Sequence, residues 1–244
     1  MNKLIINRTN QKFLNIINNL FYKVENKQNI KILDWGCGKG ELVKFLNECG
    51  FDCYGIDIDN LKIGKKLIND NESLKERIHI IKDNNLTSFE SNYFDIILTN
   101  QVIEHISNKE SFIQEVKRVL KKGGFSYNIL PAKHRILEVH FKMPFVHWLP
   151  KNEIRKYLIY FFNLFKFSHW LECKNLTFNN QVNYYYNYSV NKTFYIEAND
   201  LFNNFKKQDF YVTNPYLKNN FIFNSFFQFI KKKFISIEFL ATKK

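Results

Sequence analysis

Three alternating glycines follow an apolar run and an acidic residue near the N-terminus. The segment reads I-K-I-L-D-W-G-C-G-K-G-E over Ile30–Glu41. Glycine is needed where a side chain would keep a ligand away from the backbone, and where a tight turn has positive φ. The spacing therefore predicts a ligand-binding turn at Gly36, Gly38 and Gly40. A glycine-rich turn that binds nothing is the alternative.

The glycine spacing also separates two classes of ligand. A dinucleotide fingerprint reads G-x-G-x-x-G, whereas this turn reads D-x-G-x-G-x-G, which disfavours a nicotinamide or flavin cofactor. A second acidic cluster, G-I-D-I-D, follows the next apolar run. A carboxylate about twenty positions beyond such a turn accepts hydrogen bonds from ribose hydroxyls, and we predict this role for Asp57. Asp59 is predicted only to cap the helix that follows.

The elements that must position these residues alternate between short apolar runs and helical patterns. This alternation predicts an α/β fold, namely a Rossmann-like, seven-stranded, mostly parallel sheet with helices on both faces. An amphipathic helix over Asn10–Val24 precedes the sheet and is placed to cover a bound cofactor. The predicted strands are 30–34, 53–57, 78–82, 94–99, 124–130, 210–213 and 234–242, and the further helices are 41–49, 60–69, 110–121 and 199–207.

Two segments, 131–195 and 214–233, fall outside this alternation. A connection as long as the first is functional or carries its own secondary structure when it lies inside a compact domain. Ligands of open α/β sheets bind at the carboxyl ends of the strands, where the first segment leaves the fifth predicted strand. We therefore predict one domain over 1–244, in which 131–195 forms an aromatic-rich cap over the substrate.

Composition limits the partners without selecting one. The formal net charge of +13 suits nucleic acid, an anionic membrane surface or a phosphorylated substrate. Many Lys, Asn, Ile and Phe residues are present, so a genome-wide composition bias is the alternative explanation. The four cysteines form neither a C-x-x-C pair nor a disulfide framework. Without a secretory signal or a long apolar run, the expected location is the cytoplasm, with the inner membrane surface as a peripheral alternative.

The order of the motifs resembles that of class I S-adenosylmethionine (SAM)-dependent methyltransferases. D-W-G-C-G-K-G resembles their first motif, and F-D-I-I-L-T-N-Q-V-I-E-H-I over Phe94–Ile106 resembles their fourth strand and the turn beyond it. K-K-G-G at 121–124 resembles the turn into the fifth strand, so the resemblance covers most of 30–130. It implies SAM as the cofactor, with Asp83 against the adenine amino group and Asn100 near the methionine part. The implied cofactor-binding residues are Asp34, Gly36, Cys37, Gly38, Gly40, Asp57, Ile58, Asp83, Asn84 and Asn100.

Methyl transfer to a hydroxyl needs an in-line nucleophile close to the sulfonium and usually a base that removes the proton. Histidine is the usual base near neutral pH. The histidines considered are His105, His134, His140 and His147, and we predict catalytic roles for His105, His134 and His147. For His105 and its neighbour Glu104, the alternative is that both side chains only orient the turn.

No metal is predicted at this site. In quinone-type relatives, the corresponding E-x-x-E-H sequence has been associated with a metal that helps to ionise a phenol. Here Gln101 occupies the first acidic position. A neutral amide is a poor substitute for a carboxylate in a hard-cation site, so catalysis is expected to need no divalent metal.

The acceptor is predicted from the cap. P-F-V-H-W-L-P at Pro144–Pro150 resembles a feature of bacterial methyltransferases near surface-polysaccharide genes. Trp148 is suited to stack on a sugar or pack beneath a lipid tail, and ordinary cap core is the alternative. We therefore expect O-methylation of a saccharide or glycan-linked intermediate, with a quinone or lipid acceptor as runner-up.

Two other function classes are disfavoured. The sequence T-N-Q-V at 99–102 lacks the Asn/Asp-Pro-Pro-aromatic arrangement of many amino-directed base methyltransferases, and no cysteine stands there to attack a pyrimidine. Nucleic acid stays an alternative acceptor only because the chain is basic. The intact motifs argue against a cofactor-binding partner subunit that lacks catalysis.

Overall fold

A computed structural model describes residues 7–58, 72–81, 86–168, 170–213 and 230–244. These residues form a single seven-stranded sheet. The strands are β1 Lys31–Trp35, β2 Asp52–Asp57, β3 Ile78–Ile80, β4 Phe94–Asn100, β5 Leu120–Pro131, β6 Phe210–Thr213 and β7 Ser236–Lys243. Their spatial order is β3-β2-β1-β4-β5-β7-β6.

The strand order reverses between β1 and β4. Both pairings of β1, with β2 and with β4, are parallel, and Trp35 stands opposite Thr99 at the carboxyl ends of β1 and β4. Such a reversal opens a crevice for a ligand at that edge of the sheet. Only β7 runs antiparallel to its neighbours β5 and β6. The prediction of a seven-stranded, mostly parallel sheet is confirmed.

Helices cover both faces of the sheet. Adjacent strand residues point to opposite faces, so Ile32 belongs to one buried cluster and Leu33 to the other. The helices are α1 Arg8–Leu20, α2 Glu41–Glu48, α3 Glu72–Lys75, α4 Lys109–Val119, α5 Glu153–Leu164, α6 Phe178–Asn191 and α7 Ala198–Lys207. The cluster around Ile32 includes apolar residues of α1 and α2, and the cluster around Leu33 includes those of α4 and α7.

Most strand boundaries differ from the prediction by one or two residues, and the start of β5 differs by four. β5 begins at Leu120, four residues before the predicted start, because Leu120 pairs with Phe94; the register then shifts, so that Ile96 pairs with Phe125 and the K-K-G-G segment bulges between these two pairs. β7 begins at Ser236 because residues 230–234 are helical. The predicted helix 60–69 lies outside the described residues.

The insertion forms a folded unit of its own. The insertion was predicted to begin at Pro131, but Pro131 pairs with Ser236 as the last residue of β5, so the insertion begins one residue later. Helices α5 and α6 pack around a separate apolar core. Buried Arg155 joins them by donating hydrogen bonds to the carbonyl oxygens of Leu149 and Ser189. No helix among the described residues is long and apolar enough to cross a membrane.

Candidate cofactor and acceptor site

The glycine turn after β1 has the backbone that its sequence predicts. Gly36, Gly38 and Gly40 all have positive φ, at 80°, 54° and 76°. The backbone N–H of Gly36 donates to the carbonyl oxygen of Ile56 on β2 over 2.8 Å. A Cβ added at Gly36 would lie 2.3 Å from Cγ2 of Val102, in the segment after β4. Glycine is therefore required here because the turns after β1 and β4 pack against each other.

Asp57 at the end of β2 holds this turn in place. One carboxylate oxygen accepts a hydrogen bond from the N–H of Gly38 over 2.8 Å, and the other accepts from the N–H of Ile58 over 2.7 Å. The Ile58 side chain is exposed. The carboxylate thus sits against the turn at the strand tip, where the predicted ribose contact requires it.

A cavity of about 250 Å³ lies beside the glycine turn. It brings together Asp34 from β1, Asn100 from the end of β4 and, as the sequence suggested, residues of α1 that cover it. The predicted adenine-side residues Asp83 and Asn84 lie outside the described part of the chain. The lining residues are Asn7, Thr9, Asn10, Phe13, Asp34, Gly36, Cys37, Lys39, Glu41, Leu42 and Asn100.

The wall of the cavity favours a cation. Burial, and then the nearby charge of Asp57, raise the pKa of Asp34 to about 7. An ionised carboxylate in such a place is stabilised by an opposite charge close by. Burial also raises the pKa of the Cys37 thiol, so this side chain is a neutral part of the wall rather than a nucleophile.

The second part of the site is the short 3-10 turn Ile103–His105 that follows β4. The end of the insertion is fastened to this turn. The N–H of Phe194 donates to the carbonyl oxygen of Glu104 over 2.6 Å, and Nδ1 of His105 lies 2.6 Å from the carbonyl oxygen of Lys192. Nζ of Lys109 donates to the carbonyl oxygen of Phe194 over 2.6 Å. The insertion therefore returns to the ligand-binding edge of the sheet.

Sequence reasoning missed one neighbour of His105. Nε2 of His140, from the start of the insertion, lies 3.1 Å from Nε2 of His105. Glu104 completes a group whose ligand atoms all lie within 4.8 Å of one another and could hold a metal ion. The prediction that no metal is needed considered only the loss of a carboxylate at Gln101. The available signal was the E-V-H sequence at 138–140, which places a second histidine beside an acidic residue.

The other two predicted histidines lie elsewhere in the insertion. Nε2 of His134 is 2.6 Å from a carboxylate oxygen of Glu197, and its ring lies 6.0 Å from that of Trp148. His147 is buried, and burial lowers its pKa to about 4, so its imidazole is neutral near pH 7. Trp148 is 42% exposed, which leaves part of the residue available for contact. The catalytic roles of His105, His134 and His147 remain predictions.

This fold and this site define a class I SAM-dependent methyltransferase. The family model described as a methyltransferase domain matches residues 7–180, and the chain belongs to that family. The cavity residues fit SAM, because a positive-φ glycine turn gives access to the backbone and buried Asp34 favours a cationic ligand.

Curated relatives match the cofactor-binding half of the chain. The chain is 35% identical over 99 residues to the mitochondrial ubiquinone biosynthesis O-methyltransferase of Rattus norvegicus, a match that covers 39% of this chain. It is 32% identical over 117 residues to the ubiquinone biosynthesis O-methyltransferase of Pelagibacter ubique, a match that covers 46% of this chain. These matches span 29% and 48% of the relatives' own lengths.

Solved structures share the fold at low sequence identity. Phosphoethanolamine N-methyltransferase 2 of Haemonchus contortus, in complex with SAM, has a TM-score of 0.57 at 16% identity, covering 96% of this chain and 52% of its own. Geranyl diphosphate C-methyltransferase of Streptomyces coelicolor has a TM-score of 0.55 at 10% identity, covering 96% of this chain and 77% of its own.

The pKa of Asp34 leads to a test of the cofactor cavity. A cation that prefers ionised Asp34 binds more tightly as the pH rises through about 7, where the free protein loses this proton. We expect the dissociation constant of SAM to fall roughly tenfold between about pH 6 and about pH 8. Calorimetry at several pH values measures it. The α-amino group of SAM titrates in the same pH range, so the pH profile of SAM affinity has to be compared between the unmodified chain and Asp34→Asn. Identical profiles in the two proteins would contradict the prediction.

Proposed function

We propose that the chain transfers the methyl group of SAM to a hydroxyl group of a small-molecule acceptor, bound between the insertion and the carboxyl end of β4. The observation that carries this proposal is the attachment of residues 192–194 to the Ile103–His105 turn. That turn begins three residues beyond Asn100, which lines the cofactor cavity. An acceptor held there lies on the cofactor side of the sheet, with the insertion excluding water.

The polar groups around this turn suit a hydroxyl acceptor. SAM supplies an electrophilic methyl group, so the chain has to bind the acceptor, orient its oxygen and accommodate the proton that leaves it. His105 is the candidate base nearest in sequence to the cofactor-binding residues. His134 is a second candidate base, and the carboxylate of Glu197 orients its imidazole. A carboxylate partner fixes the tautomer of an imidazole and raises its basicity.

The phenol of a quinone precursor is the first acceptor to test. The relatives named ubiquinone biosynthesis O-methyltransferase support it over the saccharide that the sequence placed first. One face of α5 is also exposed and apolar, at Ile154, Tyr157, Phe161 and Leu164, and exposed Phe165 follows the end of the helix. Apolar residues at helical spacing in a basic chain suit peripheral contact with an anionic membrane surface, where a lipid-like acceptor resides. A saccharide or glycan-linked hydroxyl is the second candidate.

A methyl-transfer screen with mass detection tests the proposal. Catechol-type quinone precursors are presented in anionic phospholipid vesicles, saccharides are offered in solution, and an oligonucleotide serves as the comparison. We expect a phenolic acceptor to gain one methyl group and the protein to sediment with the vesicles. Methylation of the oligonucleotide alone, or of a nitrogen or carbon atom alone, would overturn the assignment to a hydroxyl.

A further inference from the structure

Two imidazole rings face each other at the junction of the insertion and the sheet. Nε2 of His105 and Nε2 of His140 are 3.1 Å apart, and the ring centroids are 4.8 Å apart. The two residues come from separate parts of the fold, the turn after β4 and the start of the insertion. Their approach is therefore a tertiary contact and not a consequence of local sequence.

The partners of the other ring nitrogens determine which atoms carry protons. Nδ1 of His105 lies 2.6 Å from the carbonyl oxygen of Lys192, which can only accept a hydrogen bond. Nδ1 of His140 lies 2.6 Å from a carboxylate oxygen of Glu138. Both Nδ1 atoms are therefore donors, and in neutral rings both Nε2 atoms present lone pairs to each other. Two lone pairs at this distance repel unless a cation lies between them.

Glu138 acts as the carboxylate partner that a metal-binding histidine usually has. It is 1% exposed and also accepts hydrogen bonds from the N–H of Phe141 and the hydroxyl of Tyr195, over 2.9 Å and 2.6 Å. Through its contact with Nδ1, Glu138 fixes the orientation of His140, as carboxylates do behind metal-binding histidines.

Glu104 supplies the third ligand atom. Its side chain is completely buried, and neither carboxylate oxygen has a hydrogen-bond partner among the described residues. A buried carboxylate without a donor is costly, because burial removes its hydration without replacing it. Its oxygen lies within 4.8 Å of the histidine nitrogens, so one ion can contact all three side chains.

We propose that Glu104, His105 and His140 bind a divalent metal ion of the zinc type. Two metal–nitrogen bonds of about 2.0–2.1 Å place the nitrogens about 2.8 Å apart at an octahedral angle and about 3.4 Å apart at a tetrahedral angle. The observed separation of 3.1 Å lies in this range. Two imidazoles and one carboxylate suit Zn²⁺ and other late first-row ions better than Mg²⁺ or Ca²⁺. His140 thereby replaces the carboxylate that Gln101 does not provide, which revises the expectation of a metal-free site.

The role of the metal rests on the proposed function. A site with three protein ligands leaves a position for an acceptor oxygen, whose pKa falls when a Lewis acid binds it. The acceptor O–H bond then breaks with loss of the proton to water, and the oxygen forms its bond to the methyl carbon as the S–CH₃ bond of SAM breaks. The metal is not consumed, and S-adenosylhomocysteine leaves with the sulfur electron pair.

Metal binding can be measured without any acceptor. The full chain is freed of metal with a chelator and titrated with Co²⁺ followed by Zn²⁺, with visible absorption and calorimetry as readouts. We expect one Co²⁺ per chain, with ligand-field bands that Zn²⁺ abolishes. His140→Ala and His140→Gln are expected to lower the affinity at least 100-fold, and Glu138→Gln about 10- to 100-fold.

His134→Ala is the matched control, because His134 lies in the same insertion and also contacts a carboxylate, that of Glu197. It should bind the metal like the unmodified protein, and every variant should keep its SAM affinity near that of the unmodified chain. Equal Co²⁺ affinity in His140→Ala, or no stoichiometric binding to the unmodified chain, overturns the metal site. Metal binding without methylation of any hydroxyl acceptor would instead contradict only the proposed function.

Discussion

Replacing His105 with alanine is expected to lower methyl transfer by about 100-fold or more, because a ligand of the proposed metal site is lost, while SAM binds within a few-fold of its original affinity. His105 belongs to the turn that joins the cofactor side of the sheet to the insertion, where it contacts Lys192 and His140. The cofactor cavity is formed by other residues, Asp34 and Asn100 among them. Single-turnover rates and calorimetry measure the two quantities separately, once an acceptor has been found.

The other two histidines serve as comparisons for this experiment. His134→Ala removes an imidazole oriented by Glu197, and a strong loss of turnover there would assign proton removal to the side of the site near α7. His147→Ala removes a buried ring and is expected to lower the melting temperature as well, because it leaves a cavity in the insertion. Turnover in His105→Ala equal to that of the unmodified chain would contradict the prediction.

Much of the fold could be predicted because its signals are local. Ile32 and Leu33 lie in opposite clusters, so the apolar run around them is a strand covered on both faces, as its sequence indicated. Gly36 was recognised as a turn glycine, and the structure adds a reason in its close approach to Val102. The predicted strand over 210–213 has the same bounds in the structure.

The metal-binding group could not be predicted because its contact depends on how the insertion folds. His105 and His140 are 35 positions apart, and no periodicity links the turn after β4 to the insertion. The insertion itself resisted prediction because the exposed face of α5 carries apolar Ile154 and Tyr157, whereas its buried face carries Arg155 and Asn163. Only the packing of α5 against α6 distinguishes them.

Asp57→Ala is expected to weaken SAM binding by about 1–3 kcal/mol, because a charge-assisted hydrogen bond to ribose would be lost. The same carboxylate accepts from the N–H of Gly38, so the substitution also loosens the glycine turn. Asp57→Asn retains an oxygen acceptor without the charge, so its SAM affinity should lie between those of the unmodified chain and Asp57→Ala. Calorimetry with the unmodified chain and both variants provides the comparison.

The pH of this measurement matters because the charge of Asp57 contributes to the raised pKa of Asp34. Removing that charge lets Asp34 ionise at lower pH, which favours a cationic ligand and hides part of the loss. The comparison therefore belongs at about pH 8, above the pKa of Asp34 in either protein. Asp52→Ala is the control, because Asp52 begins the same strand but pairs with Arg77. An equal loss of affinity in Asp52→Ala and Asp57→Ala would show that strand stability, not ribose recognition, governs binding.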